Sequence, residues 1–171
     1  MSSPSYQQHV QTSSAIVARC GIITLSDTRT QSTDKSGALI RALLQTESHA
    51  IAHYQTVKDD PAELEPLLQS LLARGDIDAI LTNGGTGISR RDQTIAVIER
   101  AIDLPLPGFG ELFRMLSWQQ IGSGAMLSRA VGGIAKRKLL FAMPGSTAAV
   151  ELAMTKLILP ELKHLLHELR K

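Results

Sequence analysis

The sequence predicts a three-layer α/β/α domain built on a mainly parallel sheet. Short apolar runs alternate with longer stretches of helical periodicity, the pattern of repeated strand–helix units. The runs end in polar or glycine-rich turns, which gathers candidate binding groups at the sheet edge where such folds hold ligands.

The elements follow in order. Ala15 to Leu25 reads as a buried strand, with Ile16, Val17, Ile22 and Ile23 as its body. Ser26 to Lys35 is a polar loop, and Asp34 caps the next helix, whose stripe is Leu39, Ala42 and Leu43. Ile51 to Val57 forms a second strand. Asp60, Pro61 and Glu63 then make a capping box with proline at the first helical position. Leu64, Leu67, Leu68, Leu71 and Leu72 line that helix; Pro66 is expected to kink it or delay its start, and Gly75 to end it. Ala79 to Thr82 is a third strand. Asp92 opens a helix carrying Ile95, Ile98 and Ile102, and Pro105 to Gly110 is a break. Glu111 to Gln120 returns to helix, and Arg129 to Ile134 and Leu139 to Met143 are two short strands joined by a basic turn. A terminal helix starts at Ser146 and is split by Pro160.

The 171 residues suit one domain. A chain of that length buries about 70% of its extended surface, so folding requires neither disulfide nor structural metal. Three Phe, two Tyr and one Trp leave the core to Leu, Ile, Val, Ala and Met. The net charge is only +2 and the basic residues are scattered; even Lys136-Arg137-Lys138 reads as a solvated turn, which argues against nucleic-acid binding. Cys20, the single cysteine, lies in an apolar run and reads as an inert thiol in a reducing compartment. No apolar stretch reaches the ~18 residues that span a bilayer. Met1 to Ser14 lacks the pattern of a signal peptide. A flexible tail over 1–14, a single domain over 15–171 and a cytoplasmic location are therefore expected. His164 and His167 fit an amphipathic surface helix better than a metal pair.

Chemistry concentrates at the strand ends. Thr82-Asn83-Gly84-Gly85-Thr86-Gly87 follows a strand directly. Glycines let backbone approach a ligand closely, and successive N–H groups then hold phosphate oxygens. The spacing is neither a Walker A loop nor a dinucleotide fingerprint. Asp92, after Arg90 and Arg91, is either a helix cap or a carboxylate holding Mg²⁺ against a phosphate. Asp59 has no such capping role, unlike Asp60, and is the better candidate metal ligand at its strand end. Ser26 and Asp27 reach the same rim. Pro144-Gly145-Ser146 opens a helix, where Ser146 either caps it or the free N–H groups meet an anion.

Ser26-Asp27, Thr82 to Gly87 with Arg91-Asp92, Pro107-Gly108-Phe109-Gly110-Glu111, Leu127-Ser128-Arg129-Ala130 and Met143-Pro144-Gly145-Ser146 occur in that order. Together, over about Ile16 to Leu166, they resemble the MoaB/MogA family of molybdenum cofactor biosynthesis proteins. Phe113-Arg114-Met115-Leu116-Ser117 and Ile121-Gly122 are more similar to the MoaB branch. The resemblance implies a three-layer fold, a homotrimer or a hexamer of two trimers, binding of molybdopterin, and other cofactor-biosynthesis proteins as partners. Its catalytic members adenylylate the terminal phosphate of molybdopterin with Mg-ATP. They use two aspartates, which Asp59 and Asp92 match, although Val57-Lys58-Asp59 replaces a Val-Pro-Asp context. Ser128 matches a ligand-side serine. The resemblance thus implies Mg²⁺ at Asp59 and Asp92, and phosphate at Gly84, Gly85, Thr86 and Gly87. The MoaB character also keeps open a non-catalytic molybdopterin-binding or scaffold protein. An unrelated enzyme acting on a phosphorylated ligand is the third reading.

Overall fold

The computed structural model describes residues 15–89 and 92–171. The expected tail over 1–14, and Arg90 and Arg91, lie outside the described residues. A six-stranded sheet of order β2-β1-β3-β6-β5-β4 forms the middle layer. Its strands are β1 (Arg19–Leu25), β2 (Ala50–Val57), β3 (Ala79–Asn83), β4 (Leu104–Pro105), β5 (Val131–Ala135) and β6 (Lys138–Met143). β2, β1, β3 and β6 run parallel, while β5 and β4 complete one edge antiparallel.

Alternation along the central strands feeds two cores. Ile22, Leu81, Phe141 and Met143 face helices α1 (Lys35–Thr46), α4 (Pro107–Ile121), α5 (Thr147–Ala153) and α6 (Leu159–Arg170). Ile23, Ile80, Leu140 and Ala142 face α2 (Pro61–Ala73) and α3 (Thr94–Ala101). A sheet apolar on both faces needs helices on both, and the three-layer expectation holds. Among the described residues, no helix is long and apolar enough to cross a membrane.

Local rules explain most boundaries. Asp34 caps α1 by accepting from Gly37 N, and Asp60 caps α2 by accepting from Ala62 N. The expected box at α2 closes differently: Glu63 Oε2 accepts from Lys58 N at 3.2 Å, while Asp60 N donates to Lys58 O. α2 runs through Pro66 without a break. Pro66 is exposed, as is Ala62 four residues earlier, so water can serve the carbonyl that the missing N–H leaves behind. Lys136 and Arg137, both at positive φ, make the tight turn between β5 and β6.

Other expectations needed correction as well. The first strand starts at Arg19, not Ala15. The break over Pro105 to Gly110 instead contains the end of β4 and the first turn of α4, with Pro107 at the N-terminal position that proline tolerates. Asp92 does not open α3: the helix begins at Thr94 and has no side-chain cap. At the C-terminus, Pro160 lies in the first turn of α6, and a π-helical turn, Met154–Ile158, separates it from α5.

Candidate functional site

The parallel strands β1, β2, β3 and β6 all finish at one edge, and their C-terminal turns meet there. At its centre Gly84 and Gly85 adopt φ of +98° and +62°, conformations that side-chain-bearing residues rarely enter. A Cβ on Gly84 would collide with the Leu25 carbonyl of β1. One on Gly85 would collide with Thr94 Oγ1 and Asp59 Oδ1. One on Gly87 would stand 2.6 Å from Asp92 Oδ2. The glycines are therefore required by what packs against them, and two of those neighbours are the candidate carboxylates.

Each carboxylate is held in place. Asp59 Oδ1 accepts from the Thr94 hydroxyl at 3.0 Å, and Asp59 N donates to Asp27 Oδ1 at 3.3 Å. Asp27 thus ties the end of β1 to the start of the Asp59 turn. Asp92 Oδ2 accepts from Ser89 N at 2.8 Å, and Asp92 N donates to Ser89 O at 3.0 Å. That pair closes the loop after Gly87, which is the structural work Asp92 does instead of capping α3. Thr94, 2% exposed, is a site residue that the sequence reading missed. Its placement between Asp59 and Gly85 is a long-range contact, and no local spacing announces it.

The remaining motif residues surround the loop in different ways. Arg129 Nη1 donates to the Gly87 carbonyl at 2.8 Å, which brings Ser128-Arg129 to the far side of the loop. Gly145 backs onto Gly84: a Cβ there would lie 3.0 Å from Gly84 Cα. Ser146 caps α5 by accepting from Ala149 N, so the capping alternative holds for its hydroxyl. The Ser26 hydroxyl is engaged locally, accepting from Thr28 N and Arg29 N. Thr86 is buried, and Asn83 is fully buried with Nδ2 donating to Thr24 Oγ1 at 2.8 Å. Cys20 sits in the middle of β1, and burial pushes its thiol up to about 12, consistent with an inert side chain.

Among the described residues, no group of three or more His, Cys, Asp or Glu forms a protein-only metal cage. Two carboxylates flanking a glycine loop fit Mg²⁺ shared with a phosphorylated ligand, because Mg²⁺ takes one or two carboxylates and fills its shell with phosphate oxygens and water. A cavity of about 500 Å³ opens elsewhere, between the β4–β5 edge and α4, lined by Glu99, Leu106, Glu111, Arg114 and Val131 among others. It shares no residue with the glycine loop.

The fold is found in known proteins. The family described as a probable molybdopterin binding domain matches residues 21–164. The chain belongs to the MoaB/MogA family of molybdenum cofactor biosynthesis proteins. Within it, the chain is of MoaB type. It is 51% identical over 168 residues to molybdenum cofactor biosynthesis protein B of Halalkalibacterium halodurans, covering 98% of each chain. A crystal structure of molybdenum cofactor biosynthesis protein B superposes with a TM-score of 0.88 at 51% identity, over 91% of this chain and 97% of that one. The tungsten cofactor synthesizing protein MoaB from Pyrococcus furiosus superposes with a TM-score of 0.82 at 35% identity, over 91% of this chain and 98% of that one.

Proposed function

We propose that this MoaB-type protein binds molybdopterin and adenylylates its terminal phosphate with Mg-ATP. The observation that supports this reading is the approach of Asp59, from the turn after β2, and Asp92, from the loop before α3, to Gly85 and Gly87 of one loop. The loop's backbone N–H groups would receive phosphate oxygens. A phosphate oxygen of molybdopterin attacks the α-phosphorus of ATP, the new P–O bond forms, and the bond from that phosphorus to the α–β bridging oxygen breaks. Pyrophosphate leaves and adenylylated molybdopterin remains.

Two anions must meet in this reaction, so neutralising charge dominates the barrier. Mg²⁺ held by Asp59 and Asp92 would supply Lewis-acid polarisation of the phosphates. Thr94 fixes the Asp59 carboxylate, and Ser89 fixes that of Asp92. Neither aspartate acts as a nucleophile. Ser128, beside the loop through Arg129, is assigned to the molybdopterin side.

The non-catalytic reading keeps one observation in its favour: Lys58 precedes Asp59, its N–H bonded to Glu63, where the catalytic pattern resembled by the sequence has proline. A pyrophosphate-release assay with molybdopterin, Mg²⁺ and ATP, run beside calorimetric binding, separates the two. Turnover supports the enzyme; binding without release supports the scaffold.

The same reading includes a homotrimer or hexamer. Leu112, Met115, Trp118 and Ile121 are exposed on α4, and Met126 and Leu127 extend the apolar surface. Six exposed large apolar side chains on one helix and the turn after it call for a partner surface. A cytoplasmic location accompanies the proposed pathway role.

A further inference from the structure

Outside the two aspartates, one side chain with no part in the reaction just described reaches the back of the glycine loop. Arg29 stands in the loop between β1 and α1. Ser26 Oγ accepts from Arg29 N at 3.1 Å and from Thr28 N at 3.3 Å, and so folds the turn that presents it. Arg29 Nη1 reaches across 116 positions of sequence to the Gly145 carbonyl at 3.1 Å. It also donates to Ser36 Oγ at 3.2 Å. Ser36 is fully buried, and its hydroxyl donates to the same Gly145 carbonyl at 2.8 Å. One carbonyl oxygen thus takes two donors, which fills both of its lone pairs.

That carbonyl belongs to the turn that backs the glycine loop. A Cβ on Gly145 would stand 3.0 Å from Gly84 Cα and 3.3 Å from Gly84 N. Gly84 N in turn donates to Met143 O at 3.1 Å. Gly145 is therefore pressed between the Arg29–Ser36 pair on one side and Gly84 on the other. A guanidinium in a partly buried site with neutral oxygens as acceptors is held by geometry rather than by charge pairing.

We propose that Arg29 is a positioning residue for the anion cradle: with Ser36 it clamps the Gly145 carbonyl and holds the Pro144–Gly145–Ser146 turn against Gly84. The inference rests on the reading of Gly84 to Gly87 as the nucleotide-phosphate site. It also gives the Ser26 hydroxyl a function, shaping the turn that delivers Arg29.

The test uses the full chain as wild type, Arg29→Met, Arg29→Lys, Ser36→Ala and Arg29→Met/Ser36→Ala. Three measurements are made: Mg-ATP binding by calorimetry, thermal unfolding, and hydrogen exchange of the segments containing Gly84 to Gly87 and Gly145. Arg29→Met weakens Mg-ATP binding about tenfold or more, the scale of one charge-assisted hydrogen bond, with the melting temperature near wild type. Arg29→Lys recovers part of the loss. The double variant loses less than the product of the single losses, because both groups act on one oxygen. Exchange in both segments quickens in Arg29→Met without any ligand. Unchanged exchange in a folded Arg29→Met protein overturns the clamp, as do fully multiplicative losses in the double variant. Should wild type fail to bind Mg-ATP while Arg29→Met still quickens exchange, the clamp stands and the nucleotide reading falls.

Discussion

The Thr94 hydroxyl donates to Asp59 Oδ1 at 3.0 Å, and both atoms occupy the space a side chain on Gly85 would need. The first turn of α3, the end of β2 and the glycine loop are thereby locked into one unit. Replacing Thr94 by Val keeps the shape and removes the bond. Turnover of adenylyl transfer should fall by about tenfold to a hundredfold, the usual scale for losing a group that orients a metal ligand. Thr94→Ser should retain most activity. Initial rates of pyrophosphate release check both variants, with equal loss in the two pointing to packing rather than the hydroxyl.

Asp92 closes the loop through Ser89 and also borders Gly87. Asp92→Asn keeps an oxygen acceptor for Ser89 N while removing the charge. The expected loss of turnover is ~10² or more, as for other preorganised electrostatic groups. Steady-state kinetics with saturating Mg-ATP would show it, and unchanged turnover would remove Asp92 from the mechanism.

Gly85→Ala brings a methyl group against Thr94 and Asp59 at a φ of +62°. Backbone strain alone costs about 1 kcal/mol or more. The larger effect should be on ligand binding, because relief requires moving Thr94, Asp59 or the loop itself. Calorimetric titration with Mg-ATP should show the affinity lost while circular dichroism still shows a folded chain.

Away from the site, Asp78 joins three elements. It accepts from Arg19 N and Nε at 2.9 Å each, and Oδ1 accepts from Arg170 Nη2 at 3.0 Å, pinning the end of α6 under the sheet. Burial opposes ionisation, but the bonds from Arg19 and Arg170 outweigh it and bring the carboxyl down to about 2. A folded-state value below the unfolded one means a stabilisation fully present above about pH 4 and lost as pH falls toward 2. His49 adds to acid sensitivity. Burial and Lys163 lower its affinity for a proton, so stability declines as pH falls below the ordinary histidine range. Asp78→Ala should destabilise by about 1–3 kcal/mol at neutral pH, since both arginines are partly exposed, and should flatten the acid limb of a denaturation–pH profile.

Trp118 is 61% exposed in the apolar face of α4. In the proposed oligomer it lies between subunits. Trp118→Glu should shift the chain to a smaller species in light scattering coupled to size exclusion; an unchanged mass would move the interface elsewhere.

Much of this was legible in the sequence. Continuous apolar runs at Ile22-Ile23 and Leu139 to Met143 and the leucine stripe of α2 marked the layers, because strands buried on both faces carry apolar residues at successive positions. The glycines marked the tight loop after β3, because Gly84 and Gly85 adopt positive φ and Gly87 leaves no room for a Cβ beside Asp92. What stayed hidden depended on contacts between distant residues. Asp92 has the residue type of a helix cap, yet its carboxylate bonds Ser89. Thr94 and Arg29 carry no local signal at all: their partners, Asp59 and Gly145, lie 35 and 116 positions away. The two-residue β4 was missed because its pairing partner, β5, follows α4 in the chain.

The proposed reaction requires two carboxylates and the loop's peptide groups together to bring one phosphate to another. The direct measurement is pyrophosphate released by the wild-type chain given molybdopterin, Mg²⁺ and ATP. Stoichiometric release that continues through many turnovers, and stops when Mg²⁺ is chelated, is the predicted result. Tight binding of molybdopterin with no pyrophosphate formed would contradict it.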